Sequence, residues 1–349
     1  MEESEKRKNK IIGLWLLAGA LMVFIQVMVG GITRLTGSGL SITEWNVVGG
    51  TLPPLTEHDW ELSFDRYKKI PQFERINSSM TLQGYKHIFF WEWFHRLWAR
   101  LMGVAFLIPF ILFLIKKWLT KKFFWQLLFL FFLGGLEGAI GWIMVASGLS
   151  ELTWVSPYKL TLHLLMALLI SGFLLWMSLG LLIEKSRRIF LPKMKNLSIA
   201  VFILLIIQIG LGGMMSGIHA AVFFPTWPLY HGYLMPPTTF DNTESWHTIL
   251  ENPAFVQFFH RNIGYVIAGA VVYFWILGSR KKTKGFMRTL QYFSLLVVSI
   301  QILLGILILL NTHAEIPVWF GVMHQSVAWI LFYLAVTRIF LLTGKKPAQ

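Results

Sequence analysis

The sequence predicts an all-α membrane protein with eight transmembrane helices, arranged as two four-helix bundles related as parallel repeats. Three observations predict it. The chain is 55% hydrophobic and only 14% charged, with a mean hydropathy of +0.60, far from a soluble domain. Apolar runs near residues 11–31, 91–115, 123–146, 160–183, 197–217, 254–278, 289–311 and 317–341 approach the roughly 20 residues that a bilayer crossing needs. Lys and Arg gather in every second connection, and the same polar residues return at matching places in each half.

Charge sets the orientation. A net charge of +14 could serve nucleic acid, but its distribution argues against that. The basic clusters are KRKNK at the start, KKWLTKK, EKSRRIFLPKMK, SRKKTKGFMR and GKK near the end, while residues 218–253 contain no Lys or Arg. This is the positive-inside pattern. It places both termini in the cytoplasm and the chain in a bacterial inner membrane. The first run is too long for a signal-peptide core and lacks an A-x-A-like site, so it reads as a retained helix. The start MEESEKRKNK is unlike an acid-poor transit peptide. With no cysteine in the chain, disulfides and thiolate metal chemistry are excluded.

Taken in order, the elements divide at about residue 190. Residues 1–190 form the first half, with a long outward loop over 32–90, and residues 191–349 form the second. Span one ends on Gly30-Gly31, with Gln26 four residues before Gly30. The aromatic loop residues Trp45, Trp60, Phe64, Tyr67 and Phe73 could form a lid, and packing in the headgroup layer is the simpler reading. Span two opens on WEWFHR, placing Glu92, His95 and Arg96 at its mouth. Span three carries Glu137 four residues before Gly141, and span four carries His163. The second half repeats the figure. Span five has Gln208 before Gly212, span six opens on VQFFHR with Gln257, His260 and Arg261, span seven has Gln301 before Gly305, and span eight carries His324. Four spans per copy is an even number, so both copies share one orientation about an axis along the membrane normal.

His95, His163, His260 and His324 fall once in each even span, one or two turns from the outer face. One such histidine could be a packing residue. Four at one depth suggest two sites of two imidazoles each, suited to axial ligation of a haem iron; a proton path and simple packing stay open. The other histidines, 58, 87, 219, 231, 247 and 313, read as outward loop residues. Arg96 and Arg261 stand where haem propionates want cations, or where they could snorkel to headgroups. The glutamines and small residues read as helix-packing pairs. Glu137, an intramembrane acid, is a functional candidate. Glu92 lies three residues before His95, on its face of the helix, and Gln257 takes the matching place beside His260. A carboxylate can act as base or stabilise a cation, whereas Gln cannot ionise. The first site should therefore react and the second should hold a permanent cofactor.

At these residues the chain resembles the haem A synthase family. The resemblance covers nearly the whole length. It is carried by GGITRLTGSGLSITEWNVVGGTLPPLTEHDW, SFDRYKKIPQF, FFWEWFHRLWARLMG, LTLHLL, FFHRNIGY and GVMHQ, with Glu92–Arg96 the most specific piece. The chain is similar to the cysteine-free branch found in proteobacteria and mitochondria. The resemblance implies that His260 and His324 ligate a resident haem b and that His95 and His163 embrace the substrate haem O. It also implies oxidation of the ring's C8 methyl to formyl through a hydroxymethyl stage, with oxygen from water. Haem O synthase, oxidase assembly factors, an electron acceptor of unknown identity and a second copy of the chain are the partners it leaves in view. Two rivals stand beside it. A di-haem electron carrier of the cytochrome b561 type shares the histidine logic. A secondary transporter shares the parallel repeat, but its polar residues belong near the bilayer centre rather than toward one face.

Overall fold

The computed structural model describes residues 2–44, 49–149, 153–241 and 245–345. Eight of its helices are long and apolar enough to cross a membrane. These are α1 (Glu2–Leu35), α4 (Leu82–Ile115), α5 (Lys121–Gly148), α6 (Pro157–Leu182), α7 (Pro192–Gly217), α9 (Pro253–Arg280), α10 (Gly285–Asn311) and α11 (Val318–Leu341). Short helices α2 (Glu57–Tyr67), α3 (Pro71–Arg75) and α8 (Trp246–Glu251) lie in the connections. Among the described residues the only strand-like pairing is an isolated bridge between Tyr230 and Tyr233. The all-α, eight-span expectation holds.

Two helix ends depart from expectation. α1 runs back through KRKNK to Glu2, and α4 begins at Leu82 rather than residue 91. Hydropathy marks the stretch that crosses lipid, and helices continue past it wherever their ends are satisfied. Thr81 starts α4 by accepting from Gly84 N at 3.3 Å. Tyr85, Ile88 and Phe89 then fall on one helical face and are buried. His87 therefore lies on a helix, exposed, and not in a loop. α4 also continues through Pro109, tolerable in a span because neighbours and local adjustment satisfy the freed carbonyl.

The chain forms two compact units, residues 1–24 with 168–349, and residues 25–167. In the first, α7, α9, α10 and α11 pack around Val201, Leu205, Val271, Phe274 and Ala335. Arg338, 1% exposed, stacks on Phe274 at 4.7 Å and donates to Ser294 Oγ at 3.2 Å. Compactness is a different property from repetition, and the halves 1–190 and 191–349 remain a reading of the repeat.

In the second unit the segment after α1 folds onto α4. A capping box of Thr56 and Asp59 starts α2, and Pro71 starts α3. Leu40, Phe64, Tyr67, Ile70 and Val155 bury against Tyr85, Ile88 and Phe89, each large side chain contributing roughly 1.5–3 kcal/mol. Phe64 stacks on Tyr85 at 5.0 Å, and Trp60 meets Phe89 edge-on at 5.0 Å. Trp60 and Phe73 pack against the same cluster. Trp60, Phe64, Tyr67 and Phe73 thus make a small core of their own. Trp45 lies outside the described residues. Polar bonds lock the arrangement. Tyr67 OH donates to Gln72 Oε1 at 3.0 Å and accepts from Asn77 Nδ2 at 2.7 Å, while Gln72 Nε2 donates to Gly37 O at 3.1 Å. Burial pushes the Tyr67 phenol up from its ordinary value.

Tyr67→Phe strands both the Gln72 carbonyl and the Asn77 amide, at about 1–3 kcal/mol. Limited proteolysis should then cut within residues 50–80 well before wild type, with the membrane helices intact; equal resistance would contradict the packing described.

Candidate functional site

Each of the four span histidines faces a glycine on an odd-numbered span. A methyl built at Gly30, Gly141, Gly212 or Gly305 would stand 3.1, 3.0, 3.3 and 3.1 Å from Cε1 of His95, His163, His260 and His324 respectively. Those approaches are tighter than side chains ordinarily tolerate, so the missing Cβ is what lets each imidazole lie against the facing helix. One turn earlier on the same face stands the residue four before the glycine. Gln26 Nε2 donates to His95 Nε2 at 3.2 Å and to its carbonyl at 3.1 Å. Gln208 Nε2 donates to the His260 carbonyl at 2.9 Å, and Gln301 Nε2 to His324 Nε2 at 3.1 Å. Glu137 Oε1 lies 3.1 Å from His163 Nδ1. Gln26, Gln208 and Gln301 bridge to the facing helix, as packing residues do, and each meets it at a histidine; Glu137, the functional candidate, lies at ion-pair distance from His163 without a hydrogen bond. The spacing of four was visible in the sequence, but not which histidine it served.

Two of the imidazoles face each other closely. His260 and His324 have ring centroids 6.3 Å apart with planes 53° from parallel. Two metal–imidazole bonds of about 2 Å on opposite sides of one ion place ring centres roughly 6 Å apart, so the couple fits an axially ligated iron. His95 and His163 belong to the other unit, on α4 and α6. Nδ1 of all four histidines is buried without a hydrogen-bond partner, and His163 Nδ1 has only the off-line approach of Glu137. Among the described residues no group of three His, Asp or Glu could hold a bare metal ion. Two side-chain ligands suffice only for an ion whose other positions are already filled, as in a porphyrin. In the second unit, methyls at Gly134 and Gly138 of α5 would touch nothing within 4 Å, leaving one helix face open beside Glu137 and Gly141.

His163, His260 and His324 sit within about two turns of their helix starts, whereas His95 sits more than three turns into the longer α4.

Glu92 and Gln257 both serve the outward connections. Glu92, 2% exposed, accepts through Oε2 from Ser41 Oγ at 2.7 Å and from Ile42 N at 2.8 Å. Its Oε1 pairs with Arg96 Nη2, which also donates to Ile42 O at 3.2 Å. Gln257, 0% exposed, donates to Phe224 O at 3.0 Å. Arg261 donates to Thr226 O at 3.2 Å and Pro228 O at 2.6 Å, and stacks on Tyr230 at 4.0 Å. Burial pushes the Tyr230 phenol up, with Arg261 pulling the other way. Residues at i and i+4 thus pin the connection in each unit. The acid–amide difference follows from the partners. One connection presents donors and requires an acceptor; the other presents a carbonyl and requires a donor.

Of the remaining histidines, His58, His87, His231, His247 and His313 are exposed and His219 is half-buried. Sequence reading passed over Arg34, whose guanidinium lies over Trp154 at 4.9 Å in the unit that holds His95 and His163.

Residues 13–336 match the COX15-CtaA family, described as cytochrome oxidase assembly protein. A heme A synthase of Flavobacterium psychrophilum is 41% identical over 330 residues, covering 93% of this chain and 96% of that protein. The heme A synthase of Parvibaculum lavamentivorans is 39% identical over 340 residues, 97% of this chain and 96% of its own. That of Nitrosomonas eutropha is 38% identical over 329 residues, 93% and 92%. With a match of this length the chain belongs to the COX15-CtaA family.

Proposed function

We propose that the protein is a haem A synthase, a membrane oxidoreductase that converts haem O to haem A for cytochrome oxidase assembly. Full-length similarity to several heme A synthases supports the reaction. The observation that carries the site assignment is the repeated couple of glycine-backed histidines. In this reading His260 and His324 hold a resident haem b, which supplies a one-electron acceptor when bound. His95 and His163 bind the iron of the substrate haem O. A farnesylated macrocycle is too apolar to travel through water, and the glycine face of α5 with its exposed apolar neighbours suits approach from lipid. Termini in the cytoplasm and residence in the bacterial inner membrane follow from the charge pattern. The electron carrier type is not favoured by the relatives.

Conversion of the methyl to hydroxymethyl and then to formyl takes an electron pair at each stage, releases protons and adds oxygen from water. Glu92 is the residue assigned to stabilise this chemistry. Its carboxylate is held by Ser41, Ile42 and the Arg96 cation, so it acts as the negative end of a fixed ion pair on the helix of His95 rather than as a mobile proton carrier. Preorganised charge of this kind favours cationic character at the reacting carbon. Arg96 and Arg261 hold the connections in place and carry positive charge to the propionate side of each site.

Three outcomes test the reading. His260→Ala or His324→Ala should abolish the haem b absorbance of the purified protein, and an unchanged spectrum would refute the ligand assignment. Gly212→Ala should weaken that band sharply while Gly269→Ala, whose new methyl meets nothing within 4 Å, leaves it intact. Glu92→Gln should lower haem A in membranes by about a hundredfold, the worth of one preorganised electrostatic group, while Ser41→Ala, which keeps the charge, loses far less. Normal haem A in Glu92→Gln would dismiss the role.

A further inference from the structure

Glu137 differs in kind from its three counterparts. At the position four residues before the histidine-facing glycine, the other odd spans carry Gln26, Gln208 and Gln301. Their amides donate to an imidazole Nε2 or a histidine carbonyl. Glu137 alone can carry charge, and alone it approaches an Nδ1, at 3.1 Å with side chains 18% and 23% exposed. The ring N–H is not aligned on the oxygen. Even so, neither His163 Nδ1 nor Glu137 Oε2 has a hydrogen-bond partner among the described residues, and no Lys or Arg there pairs with Glu137. Among the described residues His163 is the one group at ion-pair distance from the carboxylate.

An imidazole that binds iron through Nε2 keeps its proton on Nδ1. A carboxylate accepting from that N–H makes the ring a stronger donor, and a negative charge in a low-dielectric setting favours the more positive metal. An amide does neither, and Gln26 and Gln301 would have to release Nε2 of His95 and His324 where it binds iron. Resting on the reading of His163 as a substrate ligand, we infer that Glu137 is a positioning residue that, by accepting from His163 Nδ1–H, biases the substrate's iron toward the ferric state. The His260–His324 couple, attended by two neutral glutamines, has no such bias. A lower potential at the substrate macrocycle favours loss of electrons from it, the direction that oxidation of the methyl requires.

The test is spectroelectrochemical titration of the full-length purified protein loaded with haem O. His163→Ala and His260→Ala, taken separately, assign the two midpoints to their couples. The wild-type midpoint of the His95–His163 site should lie below that of the His260–His324 site. Glu137→Gln should raise it, by about 59 mV for each tenfold loss of ferric preference in a one-electron couple, with the other midpoint unmoved. Glu137→Asp, which keeps the charge, should stay near wild type. An unshifted midpoint in Glu137→Gln with haem bound overturns the inference. If that variant retains no haem, a wild-type midpoint at or above that of the second site overturns it instead, and one below it, held by Glu137→Asp, supports it. Absence of a Soret band in the wild type, or two midpoints unaffected by His163→Ala, would refute the ligand reading itself.

Discussion

An imidazole ring is wide, and two helices packed at ordinary distance leave no room for it between them. Here one helix gives up its Cβ at the point of contact, four times over: Gly30, Gly141, Gly212 and Gly305 each stand against a histidine Cε1. The rest of the site depends on that allowance. With the ring seated, the residue one turn away can reach it or its carbonyl, and the couple His260–His324 closes to 6.3 Å. Small residues in membrane helices usually serve helix–helix approach; these serve a side chain. Gln26 and Gln301 reach the rings of His95 and His324, Gln208 reaches the His260 carbonyl and Glu137 lies near His163, so the helices carry both the ring and a polar neighbour.

The outward connections follow the same economy. In each unit a residue and its i+4 arginine reach from an even span to hold loop backbone, with Glu92 and Arg96 in one and Gln257 and Arg261 in the other. This gives the Glu92–Gln257 difference a structural cause, set by whether the loop offers donors or a carbonyl. It does not remove the electrostatic consequence. Among the described residues Glu137 lies beside His163, while Glu92, on the helix of His95, is paired with Arg96.

Much of this was legible in the sequence, because its signals were periodic. Eight apolar runs and alternating basic connections gave the eight-span, all-α fold class without coordinates. The i+4 spacing of Gln26 and Gly30 showed that they share a helix face, yet not that His95 lies opposite. That pairing joins residues far apart in sequence and depends on helix rotation, which hydropathy does not encode. The core of Phe64, Tyr67 and Tyr85 was hidden for a related reason: aromatic residues in an outward loop look the same whether they meet headgroups or one another. The start of α4 at Leu82 was missed because a span is read from its lipid-crossing part alone.

The central claim is that each unit clasps one iron between two imidazoles. Low-temperature electron paramagnetic resonance of the oxidised, haem-loaded protein tests it most directly. The account predicts two low-spin ferric signals of the bis-imidazole type and no substantial high-spin component. A dominant high-spin signal, or a single low-spin species at two haems per chain, would contradict it.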